Sequence, residues 1–290
     1  MDSKTGIILA KDPTARQEEV EKYTEATVQV LAEELSRGFS DSYRKLLAYW
    51  SRLYKYSHRN AILLILQKPQ AAYVASYKRW SDMGRQVAKG SKAAFVFAPV
   101  TKQEQDAVTG EMARKIVAFR LVPVFGDCDL ENIESDPLPT LWATLPDDCT
   151  ELYESFVRRI EEYGIKVEHK RLKTGLQGYS QGGKIVISTA IGDSRNRLWT
   201  AIHETGHEIQ REMPDFQEKN EKLLEWEVES ATYVIAKLLG FDHESASDYL
   251  LSHACTPEEL LKSLQAIQWI VRKLVKLVGI TERDEQSQAA

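Results

Sequence analysis

The sequence predicts an α+β protein of two domains: a helical N-terminal domain with a small antiparallel sheet, and a C-terminal domain organised around a metal-binding pair of helices. Three observations predict it. Apolar residues recur at helical spacing over much of the first 84 positions, and the period then changes to strand-like alternation at 93–100 and 115–125. An acidic stretch holding Pro137, Pro139 and Pro146 interrupts the chain between Gly126 and Asp148. Beyond it, His203-Glu204-Thr205-Gly206-His207 forms an H-E-x-x-H pattern inside a helical window.

Residues 14–37 read as one long helix, with Val20, Tyr23, Thr27, Val30, Leu31 and Leu35 in a stripe and Gly38 as its stop. Ser40 or Asp41 caps a second helix that runs to about Tyr56. A shorter, strongly apolar helix at 59–67 is closed by Lys68-Pro69. Tyr77-Lys78-Arg79-Trp80 sits on a short helix that stops at Gly84. The runs at 93–100 and 115–125, rich in Phe and Val, read as strands around a polar loop at 103–110.

These elements set the predicted division: an N-terminal domain at 1–126, an acidic, proline-containing linker at 127–148, a C-terminal domain at 149–280 and a disordered tail at 281–290. In the C-terminal domain a helix at 149–163 precedes a strand at 166–169. Gly178-Tyr179-Ser180 and 184–188 flank Gln181-Gly182-Gly183, a hairpin signal, with Tyr179 read as hairpin packing and an oxyanion donor as its alternative. Strand 184–188 is read as an edge able to hold an extended substrate by strand addition. Helices follow at 195–212, with Asp193 or Ser194 as N-cap, at 222–239 and at 257–277.

The H-E-x-x-H pattern points to a specific chemistry. Residues four apart share a helix face, so His203 and His207 can present both imidazoles to one ion. Glu204 lies about 100° round the helix, where a zinc peptidase keeps the carboxylate that takes a proton from the zinc-bound water. Zinc catalysis uses three protein ligands and an open water position, so a third ligand has to come from a later element. The helix at 222–239 carries Glu225 and Glu229 on one face, while Glu227 points elsewhere. One of the pair can ligate the ion and the other orient a histidine. A Glu-rich helix is ordinarily a solvated one, but Ser230-Ala231-Thr232-Tyr233-Val234-Ile235-Ala236 continues this helix with small and apolar residues, and buried carboxylates need partners.

Hydrophobic content of 43% with 28% charge is that of a folded chain and excludes a disordered one. No window holds eighteen uncharged apolar residues, and Ile7-Ile8-Leu9-Ala10 is too short for a signal core, so a cytoplasmic protein with no membrane partner is expected. Cys128, Cys149 and Cys255 are odd in number and form no C-x-x-C pair, which predicts free thiols. The net charge of −5 hides an asymmetry. Between Tyr43 and Lys92, eleven Lys or Arg stand against Asp82 alone, so that stretch carries +10 and the remainder −15. Aromatic residues interleave with these cations; Trp50 beside Leu46 and Leu47 reads as core, whereas Tyr77 and Trp80 adjoin Lys78-Arg79. Glycines in Gly84-Arg85-Gln86 and Lys89-Gly90-Ser91-Lys92 let the backbone approach a phosphate, with Arg85, Lys89 and Lys92 as counter-charges. Cations mixed with aromatic faces suit a single-stranded nucleic-acid groove.

Arg59-Asn60-Ala61-Ile62-Leu63-Leu64-Ile65-Leu66-Gln67, with Tyr77-Lys78-Arg79-Trp80 and Gly84-Arg85-Gln86-Val87-Ala88-Lys89-Gly90, resembles the N-terminal domain of the ArdC antirestriction proteins, which are encoded on mobile elements. The second half resembles the zincin-like metallopeptidase domain of that family, related to ImmA/IrrE peptidases. It does so through Gly178-Tyr179, Ile185-Val186-Ile187-Ser188, the H-E-x-x-H motif and Glu225 to Glu229 before Ala231. The resemblance spans most of 24–239 and keeps the domain order; Gly126-Asp127-Cys128-Asp129 departs from the family's usual continuation. It implies a single-stranded-DNA-binding module followed by a metallopeptidase holding one zinc ion. His203 and His207 become ligands and Glu204 the general base. Glu229, set before Ser230-Ala231, is the favoured third ligand, with Glu225 the alternative as in thermolysin-like enzymes. DNA contacts are expected from Arg59, Asn60, Gln67, Tyr77, Lys78, Trp80, Arg85, Lys89 and Lys92.

The expected function is therefore that of a single-stranded-DNA-binding antirestriction protein with a zinc-dependent peptidase domain, acting on an unidentified protein substrate. Two alternatives stay open: an ImmA/IrrE-like regulator peptidase that cleaves a repressor, and a DNA-coating protein whose metal domain is not catalytic.

Overall fold

The structure, a computed structural model, describes residues 12–37, 41–105, 112–135, 138, 145–241 and 256–280. It is α+β, with eight α-helices and two three-stranded sheets among the described residues. These residues fall into two compact units, one drawn from Met1–Ala26 and Arg59–Pro139, the other from Thr27–His58 and Thr140–Arg283. The units are not continuous in sequence. Helix α1 (Pro13–Ser36) contributes to both, and α2 (Asp41–Arg52), shorter than expected, belongs with the second.

In the first unit, α3 (His58–Gln67) supplies Ala61, Ile62, Leu63 and Leu64, all fully buried. Strand β1 (Val74–Ala75) leads into α4 (Tyr77–Asp82), whose N-cap Ser76 accepts the Arg79 N–H at 3.2 Å. Strands β2 (Ala94–Gln105) and β3 (Met112–Gly126) form a long antiparallel ribbon, and β3 also pairs with β1, giving the order β1-β3-β2. The ribbon continues past a register shift between Val100 and Thr101 into Gln103–Gln105, residues the sequence assigns to a loop.

The free edge of β2 is closed by side chains. The Asn60 amide donates to Phe97 O and accepts from Phe97 N–H, each at 2.9 Å; the Gln67 amide does the same for Phe95, at 2.9 and 2.8 Å. A carboxamide carries the donor and acceptor of a peptide group, so two of them on one helix can satisfy an edge that lacks a neighbouring strand. Within the stretch read as linker, Asp127–Asp129 makes a 3-10 turn. Asp129 is buried there, accepting from Lys68 Nζ at 2.6 Å and Gly126 N–H at 2.8 Å. Leu130 packs with Ala75, Trp80 and Val87 in a small core.

The second unit holds α5 (Thr150–Glu162), β4 (Lys166–Lys170), β5 (Gly178–Ser180), β6 (Lys184–Ser188), α6 (Ser194–Gln210), α7 (Glu221–Leu238) and α8 (Pro257–Val278). Its sheet has the order β4-β6-β5, with β6 parallel to β4 and antiparallel to β5. This corrects the expectation that 184–188 is an edge: Ile185, Val186 and Ile187 have no exposed surface, as a strand covered on both faces requires, and β5 is the antiparallel edge. Helix α2 packs on α7, where Tyr43 stacks on Trp226 at 5.1 Å between ring centroids and donates to Ser230 Oγ at 2.9 Å. Helix α8 opens with a capping box between Thr256 and Glu259 and ends at Gly279, whose φ of 75° a side chain would strain.

Cys128 and Cys149 are free thiols, as expected; Cys255 and the tail at 281–290 lie outside the described residues. No helix among the described residues is long and apolar enough to cross a membrane. Replacing Gln67 by Ala strands the Phe95 N–H and C=O on the β2 edge. Urea denaturation of Gln67→Ala is expected to show a loss of about 1–3 kcal/mol of stability.

Candidate metal centre

Helix α6 begins where Asp193 accepts the N–H groups of Arg195 and Asn196 at 3.2 and 3.3 Å, and α7 where Asn220 accepts that of Leu223 at 2.9 Å. Fixed in this way, the two helices bring three donors together. The Nε2 atoms of His203 and His207 stand 3.1 Å apart. Glu225 spans them, Oε1 lying 3.3 Å from His203 Nε2 and Oε2 3.2 Å from His207 Nε2. The three residues offer ligand atoms within 4.8 Å of one another. Ligands held about 2.0–2.1 Å from a tetrahedral zinc ion are roughly 3.3 Å from each other, so the donor set has the dimensions of a metal site.

Glu229, the expected third ligand, stands elsewhere. Its Oε1 is 3.6 Å from Nδ1 of His203, on the far side of that ring from Glu225. A carboxylate behind a ligating histidine favours the tautomer that keeps the Nε2 lone pair directed at the ion. The close approach of the helices depends on Gly206, where a Cβ would come within 2.9 Å of Val228 Cγ1.

Electrostatics in the cluster follow from burial and from its crowded carboxylates. Hydrogen bonds from His203 and His207 hold the Glu225 carboxyl well below the usual carboxylate range, against the effect of burial. Burial pulls the His203 imidazole down, but the Glu225 hydrogen bond and the charge of Glu229 outweigh it and leave the ring above its ordinary value. Glu204 is buried, which pushes its carboxyl up, with His203 and His207 opposing. Burial likewise raises Glu229, with His203 opposing.

The small sheet is fastened to the motif helix at two points. Glu208, itself buried, accepts the N–H groups of Gly182 and Gly183 at 2.8 and 2.5 Å. Both glycines have left-handed φ, 74° and 76°, as a type I′ turn between β5 and β6 requires. On β5, a Cβ at Gly178 would meet Thr200 Cγ2 at 2.7 Å and both Glu204 Cγ and Val186 O at 3.1 Å. Glycine thus lets this edge strand lie against the helix at Glu204. Strand alternation turns Tyr179, half-buried, to the face of the sheet opposite Glu204. Sequence reasoning missed Glu208, and it gave no sign of the close contacts that Gly178 and Gly206 permit.

Among the expected nucleic-acid contacts, Arg59, Tyr77, Lys78, Lys89 and Lys92 are exposed and Arg85 is half-buried. Asn60, Gln67 and Trp80 are corrected to structural roles. The first two are committed to the β2 edge, and Trp80, 1% exposed, donates its indole N–H to Phe125 O at 2.9 Å. Buried amides and indoles need such partners.

Residues 15–125 match the family model described as the N-terminal domain of anti-restriction factor ArdC. The chain is 24% identical over 242 residues to an uncharacterized protein of Bacillus anthracis; the alignment covers 70% of this chain but 41% of that protein, so the chain spans less than half its length. Crystal structures of the antirestriction protein ArdC from plasmid R388, metal-free and Mn(II)-bound, have a similar fold. Each gives a TM-score of 0.52 at 17% identity and covers 90% of this chain, with 99% and 98% of the respective ArdC chains matched.

The geometry separates the two glutamates by experiment. Competition with a chromogenic chelator is expected to show Glu229→Gln weakening zinc affinity by about 10–100-fold, with Glu225→Gln losing more than Glu229→Gln.

Proposed function

From a chain whose residues 15–125 match the family model of the N-terminal domain of anti-restriction factor ArdC, we infer an antirestriction protein that binds single-stranded DNA and carries a zinc-dependent metallopeptidase in its second unit. The observation that carries the peptidase reading is the triangle of His203, His207 and Glu225 with the buried Glu204 beside it. Two imidazoles and one carboxylate are the donor set of catalytic zinc sites. The same set accepts other first-row divalent ions, and the ArdC of plasmid R388 has a Mn(II)-bound form.

A zinc ion held there supplies a Lewis acid and lowers the pKa of its water to about 7. His203 and His207 would hold it through Nε2 and Glu225 through its carboxylate, with Glu229 behind His203 to orient that ring. Glu204, buried beside the two histidines, would accept a proton at its carboxylate and return it to the leaving amine. The outer edge of β5, lying close to Glu204, offers main-chain donors and acceptors to an extended peptide. In the first unit, the exposed Lys78, Lys89 and Lys92, with Arg85 among them and Gly84 and Gly90 in left-handed conformations, support binding to a phosphate backbone.

Substituting Glu204 by Gln removes the proton acceptor and leaves the three metal-binding groups in place. Zinc affinity is expected to stay within severalfold of wild type while hydrolysis of a fluorescent casein probe falls at least roughly 100-fold. If this variant still protects conjugated plasmid DNA from restriction as wild type does, DNA coating replaces peptide hydrolysis as the antirestriction mechanism.

A further inference from the structure

The hairpin register fixes which main-chain groups of β5 face outward. At the Gly182–Gly183 turn, Gln181 N–H donates to Lys184 O at 2.8 Å, and further along Ser188 N–H donates to Gln177 O at 2.8 Å. In an antiparallel ladder such bonded pairs alternate, so Gln177, Tyr179 and Gln181 turn their main-chain groups to β6. Those of Gly178 and Ser180 turn to the outer edge of the sheet. Gly178 lies against Thr200 and Glu204, and Ser180 against Arg211. The edge therefore runs the same way as α6, along the stretch that holds His203 and His207.

Arg211 stands at the Ser180 end of that edge. It continues α6 with φ −60° and ψ −22°, and its N–H donates to His207 O at 3.1 Å. Four residues beyond His207, it shares the helix face that carries both histidines. Its guanidinium lies 5.3 Å from the centroid of the Phe216 ring, with Nε 3.6 Å from the buried Glu208 Oε1 and one Nη 3.5 Å from Ser180 Oγ. The side chain is nevertheless 40% exposed. Neighbouring acids are engaged elsewhere, Glu212 by Lys273 and Tyr163, and Asp215 by Lys219. Glu208 itself also accepts the N–H groups of Gly182 and Gly183. A guanidinium has five donors in a planar fork, so contacts to Glu208 and Ser180 leave donors for a further carboxylate. Glu204, Glu225 and Glu229 repel such a group, and Arg211 is the cation that can receive it.

We propose that Arg211 is a specificity-determining residue: in an extended peptide on the β5 edge it selects an aspartate or glutamate on the N-terminal side of the cleaved bond. This selection rests on the peptidase function inferred above and gives it a substrate class, an acidic polypeptide segment. A peptide added antiparallel to β5 runs from Ser180 toward Gly178, so its earlier residues meet Arg211 and its later ones reach Glu204. Arginine grips a carboxylate through two parallel hydrogen bonds, which lysine cannot reproduce.

The zinc-loaded full chain is incubated with a proteome-derived peptide library, and the new ends are sequenced by mass spectrometry. Asp and Glu are expected to be enriched within about three residues before the cleaved bond. Arg211→Gln is expected to lose that enrichment and Arg211→Lys to keep part of it. Binding is read separately by fluorescence anisotropy in the Glu204→Gln background, with two labelled Thr-Val peptides that differ in one Glu against Gln. The Glu peptide is expected to bind roughly tenfold more tightly, a difference that Arg211→Gln erases. Cleavage without acid enrichment, or a preference that survives Arg211→Gln, would overturn the role of Arg211 and leave the peptidase standing. No cleavage by the wild type together with equal binding of the two peptides would overturn both. No cleavage with an Arg211-dependent preference for the Glu peptide would overturn the peptidase and keep Arg211 as the residue that recognises the carboxylate.

Discussion

The close approach of α7 to α6 is the constraint on which the second unit depends. Gly206 makes it sterically possible, since any side chain there would run into Val228. Tyr43, stacked on Trp226 and bonded to Ser230, braces α7 from its other side. The consequence is electrostatically demanding: Glu204, Glu225 and Glu229 gather round two imidazoles in a largely buried place. Buried carboxylates without partners are costly, and a cation among them removes the conflict. Glu227 on the same helix shows the other solution. It is wholly buried yet receives Lys219 Nζ at 3.0 Å and Gln210 Nε2 at 2.8 Å, a pairing that needs no metal.

The sheet takes its position from the same helix. Glu208 holds the Gly182–Gly183 turn and Gly178 lets β5 settle beside Glu204, so the hairpin is tied to the helix on both sides of His207. One stretch of α6 thus turns His203 and His207 toward Glu225, Glu204 toward β5 and Glu208 toward the Gly182–Gly183 turn. In the first unit the same logic of unpaired backbone operates without chemistry: α3 supplies two amides that finish the edge of β2.

Much of this was legible in the sequence, for reasons that also explain the failures. The motif helix, its Asp193 cap and the Gly182–Gly183 hairpin are local patterns, and each forms where the residues indicate. Glu225 and Glu229 share a helix face, so periodicity narrows the choice to these two, but which one meets Nε2 and which Nδ1 depends on the offset between α6 and α7. Asn60, Gln67 and Trp80 read as nucleic-acid contacts because polar and aromatic residues near cations look alike in sequence whether they face solvent or backbone. Their partners are main-chain atoms of Phe97, Phe95 and Phe125, far along the chain and without a residue signature. Strand β6 reads as an edge in the sequence because a short apolar run does not reveal how many neighbours it has.

The central claim is that His203, His207 and Glu225 hold one divalent ion while Glu229 stands behind His203. Crystals grown with zinc, with anomalous diffraction collected on both sides of the zinc absorption edge, test it most directly. The account predicts a single strong anomalous peak within about 2.0–2.2 Å of the two Nε2 atoms and a Glu225 oxygen, with Glu229 facing Nδ1. A peak ligated by Glu229 with Glu225 turned away, or no peak between the two histidines, would contradict it.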